Sequence, residues 1–171
     1  MKLLVVVDMQ NDFIDGALGS PEAVAIVPYV KALIEGFDGK VFFTRDTHFD
    51  NYMDTQEGKK LPVPHCIKGT DGWQIRSELD TLRMTEAIDK ITFGSTELVE
   101  VIGREENVES ITFAGLCTDI CVISNVMTVK AFYPEIPLIV DAKGCAGVTP
   151  DSHRTALSAM RMCQVDVIGE D

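Results

Sequence analysis

The sequence predicts an α/β domain, a parallel β-sheet with helices on both faces. Three observations carry this. Short apolar, β-branched runs recur along the chain, separated by stretches of helical period. The first, Leu3-Leu-Val-Val-Val7, is apolar without alternation, the pattern of a central strand buried on both sides. Another, Ile111-Thr-Phe-Ala114, is broken by Gly115, after which Cys121, Val122, Val126 and Val129 return at helical spacing.

The elements follow in order. After the first strand, which ends at Asp8, Asn11-Asp12-Phe13 with Gly16 and Gly19 reads as a loop. Pro21 opens a helix running towards Gly36, which Pro28 is expected to interrupt. Residues 40–44 form a second strand, with Arg45-Asp46-Thr47-His48 at its C-terminal end. Residues 51–72 hold a His-Cys pair and two prolines with little periodicity; loops of this length inside a domain are often functional. Residues 87–91 are a strand carrying Lys90, and 96–104 a helix. Thr118 and Asp119 are both good N-caps for the helix that follows the strand at 111–114. A strand at 137–140 ends at Asp141, Thr149-Pro150-Asp151 caps a helix through Met162, and 165–168 is the last strand. In such sheets ligands bind beyond the carboxyl ends of the strands. Asp8, Asp46, His48 and Cys121 all fall at or just past such ends, and Lys90 lies near one.

With 171 residues, 46% hydrophobic and 25% charged, the chain suits one domain spanning 1–171 with a substantial core. A formal net charge of −12 argues against nucleic acid, anionic membrane or strongly acidic substrates as partners. Five cysteines, an odd number, with no secretory leader, fit a reduced cytoplasmic protein better than a disulfide framework. No apolar segment is long enough to span a bilayer, and no internal repeat is evident. Homo-oligomer formation stays open.

Two constellations carry chemistry. Cys121 falls in a helix's first turn, where backbone N–H groups and the helix dipole favour a thiolate and could receive an oxyanion. The alternative is a small buried apolar residue. Asp8, a carboxylate ending a buried strand, is either a structural partner for N–H groups or Lys90, or a general acid/base beside the thiol. Lys90 is either a strand-end surface lysine or the ammonium that keeps Cys121 ionised. In the second constellation, Asp46 and His48 are two apart on an extended segment and can face one ion, with His65 in the long loop. An aspartate, two histidines and open positions suit zinc, with manganese or iron also plausible. Glu57 or Asp54 is a further oxygen or simply solvated; His48 and His65 are otherwise loop histidines bonded to neighbours. Cys66, Cys145 and Cys163 read as small packing residues, His153 as a surface or packing residue, and Trp73 as a loop anchor. Cys117, four before Cys121, makes a redox thiol pair the remote rival.

The chain resembles the isochorismatase-like cysteine hydrolases, and within them the nicotinamidase branch. The resemblance rests on Asp8-Met-Gln10-Asn-Asp-Phe13, Arg45-Asp46-Thr-His48, His65-Cys66-Ile-Lys-Gly69-Thr70, Lys90 with Phe93, and Gly115-Leu-Cys-Thr118-Asp119-Ile-Cys121-Val122. It implies a three-layer α/β/α, Rossmann-like domain with a six-stranded parallel sheet. It further implies a catalytic triad of Asp8, Lys90 and Cys121, a cis peptide before Cys117, and an oxyanion hole from the N–H groups of Cys117 and Cys121. Asp46, His48 and His65 match the metal positions of nicotinamidases, a set that isochorismatases lack. One departure stands out. Nicotinamidases commonly stack an aromatic residue on the pyridine ring from just upstream of the His-Cys pair, where this chain has Leu61-Pro-Val-Pro64. Phe13 is retained and could cover one ring face; a lost stacking partner is worth ~1 kcal/mol, enough to alter preference without forbidding the chemistry. The expected activity is release of ammonia from a small carboxamide, nicotinamide first, through a thioester on Cys121. Another amide or a carbamoyl-amine is the alternative substrate.

Overall fold

β1 (Lys2–Val7) is the centre of the sheet, and its alternation generates the layers. Leu3, Val5 and Val7 enter one core while Leu4 and Val6 enter the other, so neither set can be polar. The other strands are β2 (Lys40–Asp46), β3 (Ile88–Lys90), β4 (Ser110–Leu116), β5 (Leu138–Ala146) and β6 (Asp166–Ile168). In the computed structural model, which describes residues 1–170, they form one six-stranded sheet in the order β3-β2-β1-β4-β5-β6. Every pairing is parallel.

The helices are α1 (Asn11–Ile14), α2 (Pro21–Gly36), α3 (Gln56–Lys60), α4 (Ser77–Asp80), α5 (Thr96–Ile102), α6 (Ile123–Phe132) and α7 (Pro150–Met162). On one face α5, α6 and α7 bury Leu98, Val129, Leu157 and Met160 against β1, β4 and β5. On the other, α2 buries Ala23, Ile26, Val27, Val30 and Ile34, joined by Trp73 and Leu79 from the β2–β3 connection. A three-layer α/β/α sandwich results. Among the described residues no helix is long and apolar enough to cross a membrane.

Four local expectations are corrected. α2 runs through Pro28 without a break: Pro28 lies on the exposed face, where the carbonyl that loses its partner can be hydrated. β3 is shorter than 87–91, because Ile91 turns out to solvent at 74% exposure. β5 does not end at Asp141 but continues to Ala146, resuming its pairing with β4 after a register shift between Phe113 and Gly115. The long loop holds a 3₁₀ turn, Tyr52–Asp54, and α3; buried Tyr52 anchors it by donating to the Leu61 carbonyl at 2.8 Å.

The sheet order places the site. From β1 the chain moves to β2 on one side and later to β4 on the other, so a crevice opens beyond the carboxyl ends of β1 and β4. Gly115 lets the two strands close up there: its φ is +124°, and a Cβ on it would lie 2.1 Å from the Val7 carbonyl oxygen.

Candidate active site

Three strand ends deliver Asp8, Lys90 and Cys121 to one point. Asp8 follows β1, is fully buried and has a φ of +47°, a left-handed conformation that non-glycine residues adopt at some energetic cost. Thr44 of β2 donates to its Oδ1 at 2.7 Å, and the Lys90 ammonium lies 2.6 Å from its Oδ2. Lys90 closes β3, paired in register with Asp46, and its Nζ also reaches Asp46 Oδ1 at 3.3 Å, the Thr92 carbonyl at 3.1 Å and Cys121 Sγ at 3.5 Å. Through Lys90, Asp8 and the Cys121 thiol share one ammonium.

Cys121 is not in the first turn of an ordinary α-helix, as expected. It sits in a π-helical turn, Thr118–Val122, which follows the cis Leu116–Cys117 peptide and leads into α6 with no side-chain cap. The reason is competition. Asp119, a candidate cap, accepts the Val148 N–H, and the Thr118 hydroxyl is 2.7 Å from His153 Nδ1. The pull of the turn's N–H groups toward a thiolate meets opposition. Burial and the neighbouring Asp8 charge push the Cys121 thiol well above the ordinary cysteine value, and Lys90 only partly opposes them. Burial also raises Asp8, against the pull of Lys90. For Lys90, burial alone would favour the neutral amine, but Asp8, Cys121 and Asp46 outweigh it and hold the ammonium. Burial thus favours the thiol form of Cys121, while Lys90 stays an ammonium paired with the Asp8 carboxyl.

Adjacent to it, Asp46, His48, Glu57 and His65 each turn one ligand atom inward, and these four atoms lie within 4.8 Å of one another. His48 Nε2 is 2.9 Å from Asp46 Oδ2 and 3.6 Å from Glu57 Oε1; His65 Nε2 is 3.6 Å from both carboxylates. Burial opposes ionisation of Asp46, but bonds to His48 and His65 and the Lys90 charge hold its carboxyl well below the usual range. His65 Nδ1 is 2.8 Å from the Val63 carbonyl, which keeps that nitrogen protonated and frees the Nε2 lone pair. Two imidazoles and two carboxylates converging in a largely buried site fit a divalent cation. Glu57, delivered by α3, is the further oxygen considered above; Asp54 is exposed and outside the cluster.

Cys121 and the four residues of the second cluster line a cavity of about 510 Å³, bordered on its apolar side by Phe13, Leu18, Leu61, Ile91, Phe93 and Ile120, with Asp8 and Lys90 behind Cys121. Phe13 packs against His65, ring centroids 5.4 Å apart. Residues 61–64 contribute only Leu61 to the lining. Cys117 also borders the cavity, its thiol pushed up to about 12, chiefly by burial.

Several residues that hold the site had no role assigned from sequence. Gln10 accepts the Asp46 N–H at 2.7 Å and donates to the Asp46 and Trp73 carbonyls, tying β1's end to β2's. Asn125 donates to the Cys121 and Phe93 carbonyls and accepts from Ser95 N–H, so α6 grips both walls of the crevice. Asp12 accepts the Cys66 N–H at 2.8 Å, which steadies the backbone beside His65. Gln10 carried one usable signal, a polar residue three positions past the buried run that ends β1. Asn125 carried none. Trp73 is a loop anchor as expected, its indole N–H donating to Thr47 and its ring covered by Arg45 at 3.6 Å.

Comparison with known proteins agrees with this fold. The isochorismatase domain model matches residues 2–171. The nicotinamidase/pyrazinamidase of Mycobacterium tuberculosis is 28% identical over 189 residues, covering 98% of each chain. The crystal structure of nicotinamidase/pyrazinamidase PncA from Bacillus subtilis superposes with a TM-score of 0.79 at 28% identity, covering 97% of this chain and 98% of that one. The fold of pyrazinamidase from Pyrococcus horikoshii, solved in complex with zinc, is also similar, with a TM-score of 0.78 at 24% identity over 98% of both chains. A matching model over nearly the whole length, on a sheet and crevice of this form, identifies the chain as a member of the isochorismatase family.

Proposed function

We propose that this protein is a metal-assisted cysteine amidohydrolase that converts nicotinamide to nicotinate and ammonia through a thioester on Cys121. The observation that carries the reading is the meeting of Asp8 and Lys90 with Cys121, which lines a cavity also lined by Asp46, His48, Glu57 and His65. Full-length similarity to nicotinamidases supports the substrate.

Burial of the thiol beside Asp8 and Lys90 sets the first step. The thiol is buried against a carboxylate, so its proton passes to Asp8 as sulfur attacks the amide carbon. Lys90 stays charged and offsets the negative charge passing between sulfur and carboxylate. The backbone N–H groups of Cys117 and Cys121 receive the oxyanion. Collapse breaks the C–N bond, Asp8 returns its proton to the departing nitrogen, and ammonia leaves a thioester. A water then gives a proton to Asp8 and its oxygen adds to the thioester carbon; sulfur leaves, recovers the proton, and the acid is released.

Asp46, His48, Glu57 and His65 would hold the cation, zinc being the best match to two nitrogens and two oxygens, with manganese or iron as alternatives. When bound it supplies a Lewis-acidic centre at which a ring nitrogen or water can be held. Phe13 covers one face of the ring, and Leu61 gives an aliphatic surface where an aromatic one would stack. With five free cysteines, a reducing cytoplasm and a place in nicotinamide salvage fit this activity. The test is ammonia release from nicotinamide and from carbamoyl-amines, before and after chelation, with metal analysis of the same sample. Hydrolysis of nicotinamide that chelation abolishes and zinc restores is expected. Carbamoyl-amine hydrolysis with nicotinamide untouched would transfer the assignment to the other substrate class.

A further inference from the structure

We infer that His153 is a positioning residue for Cys121, acting through Thr118 from outside the cavity. The inference rests on the proposed role of Cys121 as nucleophile. The turn carrying Cys121 is only five residues long and has no side-chain cap of its own, yet a nucleophile must be held to a fraction of an ångström. Its restraint comes from the corner between β5 and α7. Thr118 is fully buried, so its hydroxyl needs a partner, and it has one in His153 Nδ1 at 2.7 Å. One residue on, both Asp119 carboxylate oxygens accept the Val148 N–H, at 3.1 and 3.2 Å. The nucleophile turn is therefore clipped twice to the same corner, three and two residues before the sulfur.

That corner is itself rigid. Thr149 and Ser152 cap each other's backbone at the start of α7, and His153 is the next residue, its N–H bonded to the Thr149 carbonyl at 3.0 Å. Gly147 allows the loop to press directly on α7: a Cβ there would come within 2.9 Å of His153 N and Cβ. His153 does not line the cavity, so its action is indirect.

The test separates positioning from packing by placing a polar group at different reaches. Asn carries its amide where Nδ1 sits, Gln carries it further out, and Ala carries none. For His153→Ala and His153→Gln, kcat for nicotinamide should fall about tenfold with KM within about twofold, and His153→Asn should recover most of the loss. The rate of Cys121 alkylation by iodoacetamide, read on the Cys121 peptide by mass spectrometry, should change in the same order. Wild-type kcat and alkylation in His153→Ala would overturn the inference, as would equal impairment of all three variants. If His153→Ala does not fold, Thr118→Ser against the isosteric Thr118→Val asks the same question; equal kcat and alkylation in these two would overturn it. The alkylation arm needs no substrate. A wild-type protein that hydrolyses no amide would thus refute the proposed function while the alkylation order still decides this one.

Discussion

The two halves of the crevice are built by opposite strategies. Asp8, Lys90 and Cys121 sit at the ends of β1 and β3 and just after β4, are all under 5% exposed, and contain an internal ion pair. The ion cluster draws Asp46 from a strand end but His48, Glu57 and His65 from the β2–β3 connection, with Glu57 only half-buried on short α3. The first half is closed and near charge balance. The second places two carboxylates against two imidazoles, with Lys90, shared from the first, as an adjacent cation. On the proposed function, the reacting groups come from the strand ends and most of the cation's ligands from the loop. Lys90, touching both Asp8 and Asp46, joins them.

The sharpest break in this comparison is Cys121→Ala. It should lower nicotinamide hydrolysis by about a thousandfold or more while the melting temperature stays near wild type, because one sulfur is removed from a packed site. Next comes Lys90→Met. Losing the ammonium leaves Asp8 and Asp46 facing each other in a buried space, which should destabilise the fold by about 3 kcal/mol or more in denaturant titration and eliminate activity. On the loop side, His65→Ala should weaken metal binding at least by the ~10-fold that even an outer partner's loss produces, with little change in Cys121 alkylation. Equilibrium dialysis reads the first quantity and peptide mass spectrometry the second. A large change in alkylation would mean the two halves are not separable.

The smallest effects concern protons. Asp8 must be ionised to take the thiol proton, and its pKa lies above the ordinary aspartate value of 3.8. kcat/KM should therefore fall as pH drops through that raised value, since the protonated acid cannot act as base. Thr44→Val removes a bond that favours the carboxylate form, so the acid limb should move to higher pH, with a stability loss of about 1 kcal/mol.

The same division explains what could be read from the sequence. β1 and β4 were legible because a strand buried on both faces must be apolar throughout, and Asp8 stood out as a charge ending such a run, whereas the order of the strands in the sheet was not. Asp46 and His48 were legible because strand geometry aligns residues two apart. The π-turn was not. Thr118 and Asp119 look like caps locally, but residues about 30 positions later on the β5–α7 corner take their side chains, and tertiary partners override local capping. Glu57 could not be chosen over Asp54 from spacing alone, because the choice depends on how buried Tyr52 seats the loop. The resting state of Cys121 depended on Asp8 and burial, neither of which a helix-terminus argument contains.

The most direct test of the central claim is to map the acyl group formed during turnover. Wild-type protein mixed with nicotinamide, acid-quenched before steady state and digested, should carry one nicotinoyl group on the Cys121 peptide, labile to hydroxylamine as a thioester is. The same group found on Cys117 or any other side chain would contradict the account.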